Sequence, residues 1–268
     1  MTTFLEKIVA ETRANLGRRS ADTDISLLRG GAEARRNPHD SFRLAAELSA
    51  KDRVNIIAEI KRASPSKNVI DASVDAAERA TTYEKSGAAA ISILTEPKYF
   101  RGSLNDIRDA RRAVEIPLLR KDFIVDPIQI YEAAEAGADA VLLIVAALGA
   151  TELRALLGVA NSLGLDALVE VHSLEEMNAA ADAGASIIGI NNRDLHSLAV
   201  DLATSFELAE HKPANTLLVA ESGISSTDEI ERLGGAGFDG FLIGEALMTS
   251  GNPAEKLAVL AAAGGRRG

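Results

Sequence analysis

Short apolar runs recur along the chain, and four of them begin just after a glycine that ends a helix-like segment. A glycine directly after a helix adopts the left-handed backbone conformation at little cost, so it is a common helix terminator. Each following run is apolar throughout, which is typical of a strand buried on both faces of a parallel sheet. The four glycines are Gly87, Gly137, Gly184 and Gly237.

Four further apolar runs, at residues 54–60, 116–119, 166–171 and 216–220, bring the total to eight. Helical segments alternate with all of them, and strict alternation implies parallel strands joined by right-handed crossovers. Eight such units can close into a barrel, whereas an open doubly wound sheet, the alternative, usually has fewer strands. The pattern therefore predicts the α/β class and a (βα)8 (TIM) barrel.

Several predicted helices begin with recognisable caps. Proline at the first helical position follows a capping residue at 126–127 and 252–253, and capping-box spacing joins Ser173 to Glu176 and Ser226 to Glu229. A (βα)8 barrel takes about 250 residues, so 268 residues fit one barrel with a short extension. We expect a single domain over residues 1–268, with residues 1–50 as extra N-terminal helices.

Composition narrows the possible partners. Lys and Arg total 29 against 39 Asp and Glu, and the resulting net charge of −10 repels nucleic acid and anionic membranes. The chain has no cysteine, which excludes disulfides and thiolate metal sites, and its four histidines share no metal-ligand spacing. The start lacks a secretory pattern, and the longest apolar run, 140–148, is too short to span a membrane. A soluble cytoplasmic protein without a metal site is expected.

Polar residues close most of the apolar runs. In a barrel, chemistry collects at the carboxyl ends of the strands, so these residues form a candidate site for a small anionic substrate. The cations are Lys61, Lys121 and Arg193, and the carboxylates are Glu59 and Glu170. Any one Lys–Glu pair is also explained by an ordinary salt bridge at the rim. Five strands that all end in ionisable or amide groups nevertheless favour an active face.

A second group lies at the ends of the seventh and eighth runs. Ser222-Gly223 and Gly244-Glu245 let backbone N–H groups approach an anion, and a short helix after the eighth run would add its positive end. Glycine also simply makes tight turns, but together with the strand count this position favours a phosphate site.

Other polar residues near these runs favour a structural interpretation. For His172 we prefer a loop side chain after the fifth run to a catalytic role, and His196 has no assignment. Arg62 and Lys67 are interpreted as solvated flank charges.

At these same residues the chain closely resembles indole-3-glycerol phosphate synthases. The stretches that carry the resemblance lie between about residues 50 and 250, in the order of the family. They are IIAEIKRASPSK, GAAAISILTEPKYFRGS, LLRKDFIVDPIQIYEAAEAGADAVLLI, LVEVHSLEE, IGINNRDL, LVAESGI and FLIGEALM. No single stretch is sufficient to indicate the family, but their succession is specific to it. Phosphoribosylanthranilate isomerase and the tryptophan synthase α chain share the phosphate end without the IKRASPS segment.

The resemblance implies a role for each candidate. Lys121 is similar to the family's general acid and Glu170 to its general base, while Glu59 and Lys61 assist ring closure and dehydration. The residues implied to position the substrate's carboxylate and hydroxyls are Ser64, Asn191 and Arg193, of which Asn191 is grouped with the catalytic set. The implied phosphate loops contain Ser222, Gly223, Gly244 and Glu245, the last through its backbone, and the implied apolar slot for the anthranilate ring contains Phe100, Phe123 and Leu143.

The chain departs from the family at one position, because Asn68 stands where the family usually has glycine after SPSK. Asparagine tolerates a left-handed backbone better than most residues, so the turn can persist, and what the change puts in question is the mobility of this loop.

The implied reaction converts 1-(2-carboxyphenylamino)-1-deoxyribulose 5-phosphate to indole-3-glycerol phosphate, CO2 and water, in tryptophan biosynthesis. It needs a proton donor for the ketone and a carboxylate base, and no cofactor, metal or obligate protein partner is implied. We expect neighbouring cations such as Lys61 to lower the pKa of Lys121 towards neutrality. Two alternatives stay open: a Schiff-base aldolase, and a non-catalytic sugar-phosphate-binding barrel.

Overall fold

Eight parallel strands form the centre of the molecule in this computed structural model, which describes residues 3–19, 24–35, 40–65, 67–194 and 197–263. The barrel strands are β1 (Ile56–Ile60), β4 (Ala90–Leu94), β5 (Leu118–Lys121), β6 (Ala140–Ile144), β7 (Asp166–Val171), β8 (Ile187–Asn191), β9 (Leu217–Glu221) and β10 (Gly240–Ile243). They close in chain order, with β10 pairing with β1. Between β1 and β4, β2 (Ala63–Ser64) and β3 (Asn68–Val69) form a small antiparallel hairpin. The predicted closed barrel is confirmed, and the open-sheet alternative is wrong.

Helices follow the strands around the ring. They are α4 (Ala76–Lys85), α5 (Leu104–Ala113), α6 (Pro127–Ala136), α7 (Ala150–Ser162), α8 (Leu174–Ala183), α9 (Ala203–Ala209), α10 (Thr227–Gly235), α11 (Glu245–Met248) and α12 (Pro253–Ala261). The predicted caps at Asp126, Ser173, Ser226 and Asn252 each accept a backbone N–H from the first turn. The four terminating glycines all have φ between 91° and 99°, so the left-handed conformation predicted for them is confirmed.

Three helices precede the barrel, as predicted for the first 50 residues: α1 (Phe4–Arg19), α2 (Ile25–Arg35) and α3 (Arg43–Leu48). The side chains of Leu44 and Leu48 on α3 are fully buried and join the apolar cluster inside the barrel. The carboxylate of Asp166, at the start of β7, accepts the backbone N–H of Ala45 at 3.0 Å. Helix α3 therefore closes the amino-terminal end of the barrel.

The barrel interior is filled by every second residue of the strands, because strand side chains alternate between two faces. The inward residues that pack with Leu44 and Leu48 are Ile57, Ala90, Leu119, Ala140, Leu142, Ile144, Leu168, Ile187, Val219 and Leu242. A Cβ atom on Gly240 would lie 2.5 Å from Cδ2 of Leu48, so the missing side chain of β10 makes room for the leucine. Access to the interior is left at the carboxyl ends of the strands.

Strand bounds differ from the predicted runs mainly where polar residues extend a strand. The run at 116–119 becomes β5, which continues through Arg120 and Lys121. Arg120 is buried because Asp122 and Glu132 neutralise its guanidinium behind the strand. Within the described ranges, no helix is long and apolar enough to cross a membrane.

Leu48→Ala is expected to lower the free energy of unfolding by about 2–5 kcal/mol, because it removes a fully buried side chain and leaves a cavity against Gly240. Urea unfolding followed by circular dichroism measures the change. The matched control is Leu27→Ala on α2, where the leucine is 75 % exposed, and its effect should stay within about 0.5 kcal/mol. Equal effects of the two substitutions would contradict the conclusion that Leu48 fills the amino-terminal end of the barrel.

Candidate active site

A cavity of about 590 Å³ opens at the carboxyl ends of the barrel strands. It brings together nearly all of the site residues that the sequence predicts, although they come from seven separate segments. The predicted residues that line it are Glu59, Lys61, Ser64, Phe100, Lys121, Phe123, Glu170, Asn191, Arg193, Ser222, Gly223, Gly244 and Glu245.

Leu143 is the exception, and its prediction as part of the apolar slot is wrong. Its side chain is fully buried between the barrel and the helices, whereas its neighbours Leu142 and Ile144 line the cavity. The reason is the two-residue period of β6: the inward positions are one residue away on either side.

Buried charges form the centre of the cavity. The ammonium Nζ of Lys121 lies 2.5 Å from Oε2 of Glu221 and 3.6 Å from Oε2 of Glu170. At the carboxyl end of β1, Nζ of Lys61 lies 2.6 Å from Oε1 of Glu59. The three carboxylates are almost wholly buried, so each depends on these two lysines for compensation of its charge.

This arrangement shifts the pKa values of its members. Burial alone would lower the pKa of Lys121, but the carboxylates of Glu221, Glu170 and Glu59 outweigh it and raise the pKa above its usual value. The expectation of a lowered pKa is wrong, because Lys121 lies among anions rather than beside cations. Burial would raise the pKa of Glu59, yet Lys61 and Lys121 hold it below its usual range.

Glu221 is the functional candidate that the sequence analysis left unassigned. Burial raises the pKa of its carboxyl to about 7, and the charges of Glu170 and Glu59 add to that rise against the attraction of Lys121. Its Oε1 is buried without a hydrogen-bond partner among the described residues. The available signal was the alternation of β9, which places Glu221 on the same inward face as Val219 and opposite Asn191 of β8.

Two glycines make room for these carboxylates. A Cβ atom on Gly189 would lie 2.1 Å from Oε1 of Glu221, and one on Gly244 would lie 2.1 Å from Oε1 of Glu59. Neither distance is compatible with a side chain unless the carboxylate moves. The residues at the inward position of β8 and at the end of β10 thus carry no side chain, which leaves space for the two carboxylates.

The predicted phosphate loops lie together on one side of the cavity. Ser222 and Gly223 both have left-handed backbones, with φ of 63° and 82°. The hydroxyl of Ser222 donates to Oδ1 of Asn191 at 2.8 Å, and the backbone N–H of Arg193 donates to the same oxygen at 3.0 Å. Buried Asn192 holds the end of β9 by donating to the carbonyls of residues 221 and 222.

The side chain of Glu245 is turned towards cations. Its oxygens lie 3.5 Å from Nη2 of Arg193 and 3.3 Å from Nζ of Lys67. Gly244 immediately precedes it as the N-terminal cap of the short helix α11. With its carboxylate engaged in this way, only the backbone of Glu245 is available to an anion.

The first loop is more ordered than the solvated flank predicted for it. The guanidinium of Arg62 forms a two-pronged pair with the carboxylate of Asp106, at 2.7 and 2.8 Å, and donates to the carbonyl of Val74. The interpretation of Arg62 as a solvated charge is therefore wrong. Asn68 has φ of 57° and pairs with Ser64 in the β2–β3 hairpin, so the left-handed turn persists without glycine.

Aromatic and apolar side chains cover the remaining wall. The ring centroids of Phe100 and Phe123 are 6.3 Å apart, with planes tilted by 42°. The carboxylate of Glu96 accepts the backbone N–H groups of residues 98–100 and so holds the loop that carries Phe100. Phe4 and Leu5 of α1 also line the cavity, which sequence reasoning missed because nothing in the first helix indicates where it docks.

His172 and His196 are the two histidines to which the sequence assigned no catalytic role. His172 lies beside Glu170 but does not line the cavity, and His196 lies outside the described residues. Among the described residues, no group of three or more His, Asp or Glu side chains is arranged to hold a metal ion.

Solved structures share the fold at low sequence identity. A thiamine phosphate pyrophosphorylase from Pyrococcus furiosus superposes with a TM-score of 0.61 at 19 % identity, covering 82 % of this chain and 96 % of the other. An N-acetylmannosamine-6-phosphate 2-epimerase from Clostridium perfringens gives a TM-score of 0.57 at 16 % identity, covering 72 % and 86 %. These likenesses concern the barrel alone.

Sequence comparison is far more specific. The family model described as indole-3-glycerol phosphate synthase matches residues 5–260. A protein of that name from Carboxydothermus hydrogenoformans is 47 % identical over 97 % of this chain and 100 % of its own length. Another from Rhodococcus jostii is 46 % identical over 98 % of this chain and 96 % of its own length. With the barrel, the charged cavity and these matches in place, the chain belongs to the indole-3-glycerol phosphate synthase family.

Proposed function

We propose that this barrel closes the indole ring of 1-(2-carboxyphenylamino)-1-deoxyribulose 5-phosphate, with loss of CO2 and water, and that Lys121 and Glu170 are its acid and base. The observation that carries the proposal is the meeting of these two side chains, 3.6 Å apart, on the wall of one cavity although they come from different strands. Family membership supports the overall reaction.

The cavity offers a distinct place to each part of this substrate. Its phosphate fits beside Ser222, Gly223 and Gly244, which line one side of the cavity, the first two with left-handed backbones. Glycine lets backbone N–H groups approach an anion closely. Its anthranilate ring fits against the apolar wall formed by Phe100, Phe123, Leu142 and Ile144.

The polar contacts that remain fall to the substrate's carboxylate and hydroxyls. In this orientation Ser64, Asn191 and Arg193 position these groups. The ring carbon that carries the carboxylate then lies next to the ketone carbon, with the charged side chains beside both.

The raised pKa keeps Lys121 protonated, so the lysine has a proton to donate to the ketone oxygen when the ring carbon attacks the ketone. A C–C bond forms as the ketone oxygen takes the proton, and the cationic ring then releases CO2. The new hydroxyl leaves as water after a second protonation, and Glu170 accepts the proton lost as the ring becomes aromatic. Glu221, 2.5 Å from Nζ of Lys121 and with a pKa of about 7, is placed to return a proton to the lysine.

Glu59 and Lys61 complete the charged centre on the opposite strand. Their 2.6 Å ion pair adjoins the cavity, and we assign it to ring closure and dehydration, where charge moves between the ketone oxygen and the ring nitrogen. A preorganised pair in a water-poor site stabilises such charge more than water does.

The two alternatives fit the site less well. A Schiff-base aldolase needs an uncharged lysine, and the raised pKa of Lys121 opposes this. Borohydride reduction in the presence of substrate should leave Lys61 and Lys121 unmodified, whereas a covalent adduct would favour the aldolase. A binding protein without catalysis would not need three buried carboxylates. A cytoplasmic location and the absence of nucleic-acid or protein partners stay predictions.

Lys121→Met and Glu170→Gln are each expected to reduce turnover by at least about 10²-fold, the usual contribution of a general acid or base, while substrate still binds. Fluorescence of the indole product measures turnover, and quenching titration of the substrate measures binding. Lys85→Met and Glu210→Gln, at exposed positions, are the matched controls and should turn over at the wild-type rate. A near-normal rate in either site variant would contradict the assigned roles.

Gly189→Ala is expected to lower kcat at least about tenfold, because the added methyl group displaces the carboxylate of Glu221. The control is Gly158→Ala in α7, where a Cβ meets nothing within 4 Å. That variant should keep wild-type turnover and gain about 0.5–1 kcal/mol of stability, since alanine favours a helix interior. Wild-type kcat in a folded Gly189→Ala variant would argue against a role for Glu221.

A further inference from the structure

His172 lies beside Glu170 without lining the cavity. It directly follows the last residue of β7, two positions after Glu170. The imidazole Nε2 lies 3.5 Å from Oε1 of Glu170, and Nζ of Lys121 lies 3.6 Å from its Oε2. The two oxygens of the base are thus approached separately, one by the lysine in the cavity and one by the partly buried histidine, whose Nε2 is itself buried.

The imidazole is itself held by the next helix. Its Nδ1 lies 3.3 Å from Oε2 of Glu176, and that same oxygen accepts the backbone N–H of His172 at 2.7 Å. Glu176 is in the first turn of α8, where its own N–H donates to the capping hydroxyl of Ser173. Both contacts end on one carboxylate oxygen, and a rotation of the ring would break the contact of Nδ1.

The protonation state of the ring follows from these contacts. An ionised Glu176 favours the proton on Nδ1. If Nε2 carried no proton, its lone pair would face the carboxylate of Glu170 in a buried position, where it has no hydrogen-bond partner among the described residues. A proton on Nε2 turns this repulsion into attraction.

The surrounding charges act in the same direction. Burial would lower the pKa of His172, but the hydrogen bond with Glu176 and the charges of Glu170, Glu176 and Glu221 outweigh it and raise the pKa. These acidic groups lie on β7 itself, on α8 and on β9. The imidazolium therefore persists to higher pH than in a free histidine.

We propose that His172 is a positioning residue for the general base: its imidazolium, anchored on Glu176, holds Oε1 of Glu170 so that Oε2 stays ionised and directed at the substrate. The inference rests on the proposed role of Glu170. It gives His172, the last residue of the VEVH segment, a role beyond packing. The activity of Glu170 as a base then depends on the protonation of His172. When His172 loses its proton, Nε2 repels Oε1, and kcat falls on the alkaline side.

Substitutions at His172 separate positioning from packing. His172→Leu fills the space without a donor, and kcat should fall at least about tenfold with KM little changed, within the contribution of a general base. His172→Gln supplies an uncharged amide donor to Oε1. It should restore most of kcat and abolish the part of the alkaline limb that belongs to the histidine.

A second pair of variants tests the anchor. Glu176→Gln removes the charge beside Nδ1, so the alkaline limb of kcat should move to lower pH. The matched control is Glu229→Gln in α10, because Glu229 occupies the same third helical position after a capping serine but has no histidine beside it. Its pH profile should match that of the wild type.

The imidazole can also be observed directly in the whole enzyme. Of the four histidine signals in a nitrogen-15 NMR titration, the one lost in His172→Gln belongs to this ring. Its midpoint should lie above that of a free histidine, coincide with the alkaline limb of kcat and fall in Glu176→Gln.

The outcomes distinguish the two proposals. Wild-type enzyme that releases no indole product would overturn the proposed function and with it this inference. Active wild type together with unchanged kcat in His172→Leu, or an alkaline limb that persists unaltered in His172→Gln, would overturn the inference alone.

Discussion

The site depends on one electrostatic constraint: three almost wholly buried carboxylates must be compensated by two lysines. Lys121 contacts both Glu221 and Glu170, and Lys61 contacts Glu59. Charges buried this way are tolerated only when each is compensated, and removal of one partner leaves the other exposed to the full desolvation cost. Burial raises the pKa of Glu221 to about 7, so this carboxyl is the one in the cluster that titrates near neutral pH. The acid–base capacity of the site therefore follows from burying carboxylates beside a lysine.

The barrel supplies the geometry that this cluster requires. Inward residues near the amino ends of the strands are apolar, and those at the carboxyl ends are charged, so the same alternation builds a packed core and a reactive face. Glycine at two positions is part of this geometry, since Gly189 and Gly244 leave the space that Glu221 and Glu59 occupy.

Much of this could be predicted from the order of apolar runs and polar strand ends. Glycine-terminated helices and eight buried runs indicate the ring of strands, and the ring then brings distant strand ends together. The wrong predictions concerned single residues rather than the fold. Leu143 was assigned one residue out of phase, because an unbroken apolar run such as β6 does not reveal which residues point inward. The pKa of Lys121 was predicted in the wrong direction, since its sign depends on which neighbours are nearest in space.

Long-range partners account for the rest. Arg62 has no visible partner in the sequence, and its pairing with Asp106 arises only when α5 packs beside the first loop. Glu221 directly follows the predicted run 216–220 but was left without a role, because its importance comes from burial beside Lys121 rather than from its local motif.

The insertion of Leu44 and Leu48 into the barrel floor has a consequence for how this chain can be shortened or rearranged. Residues 43–48 precede every barrel strand, yet they belong to the interior by contact. An engineered version that begins at β1 would lose part of the packed interior. Its barrel would have a cavity at the amino-terminal end, beside Gly240, where Leu48 now packs. Circular permutation, which keeps α3 while moving the chain ends elsewhere, respects that dependence.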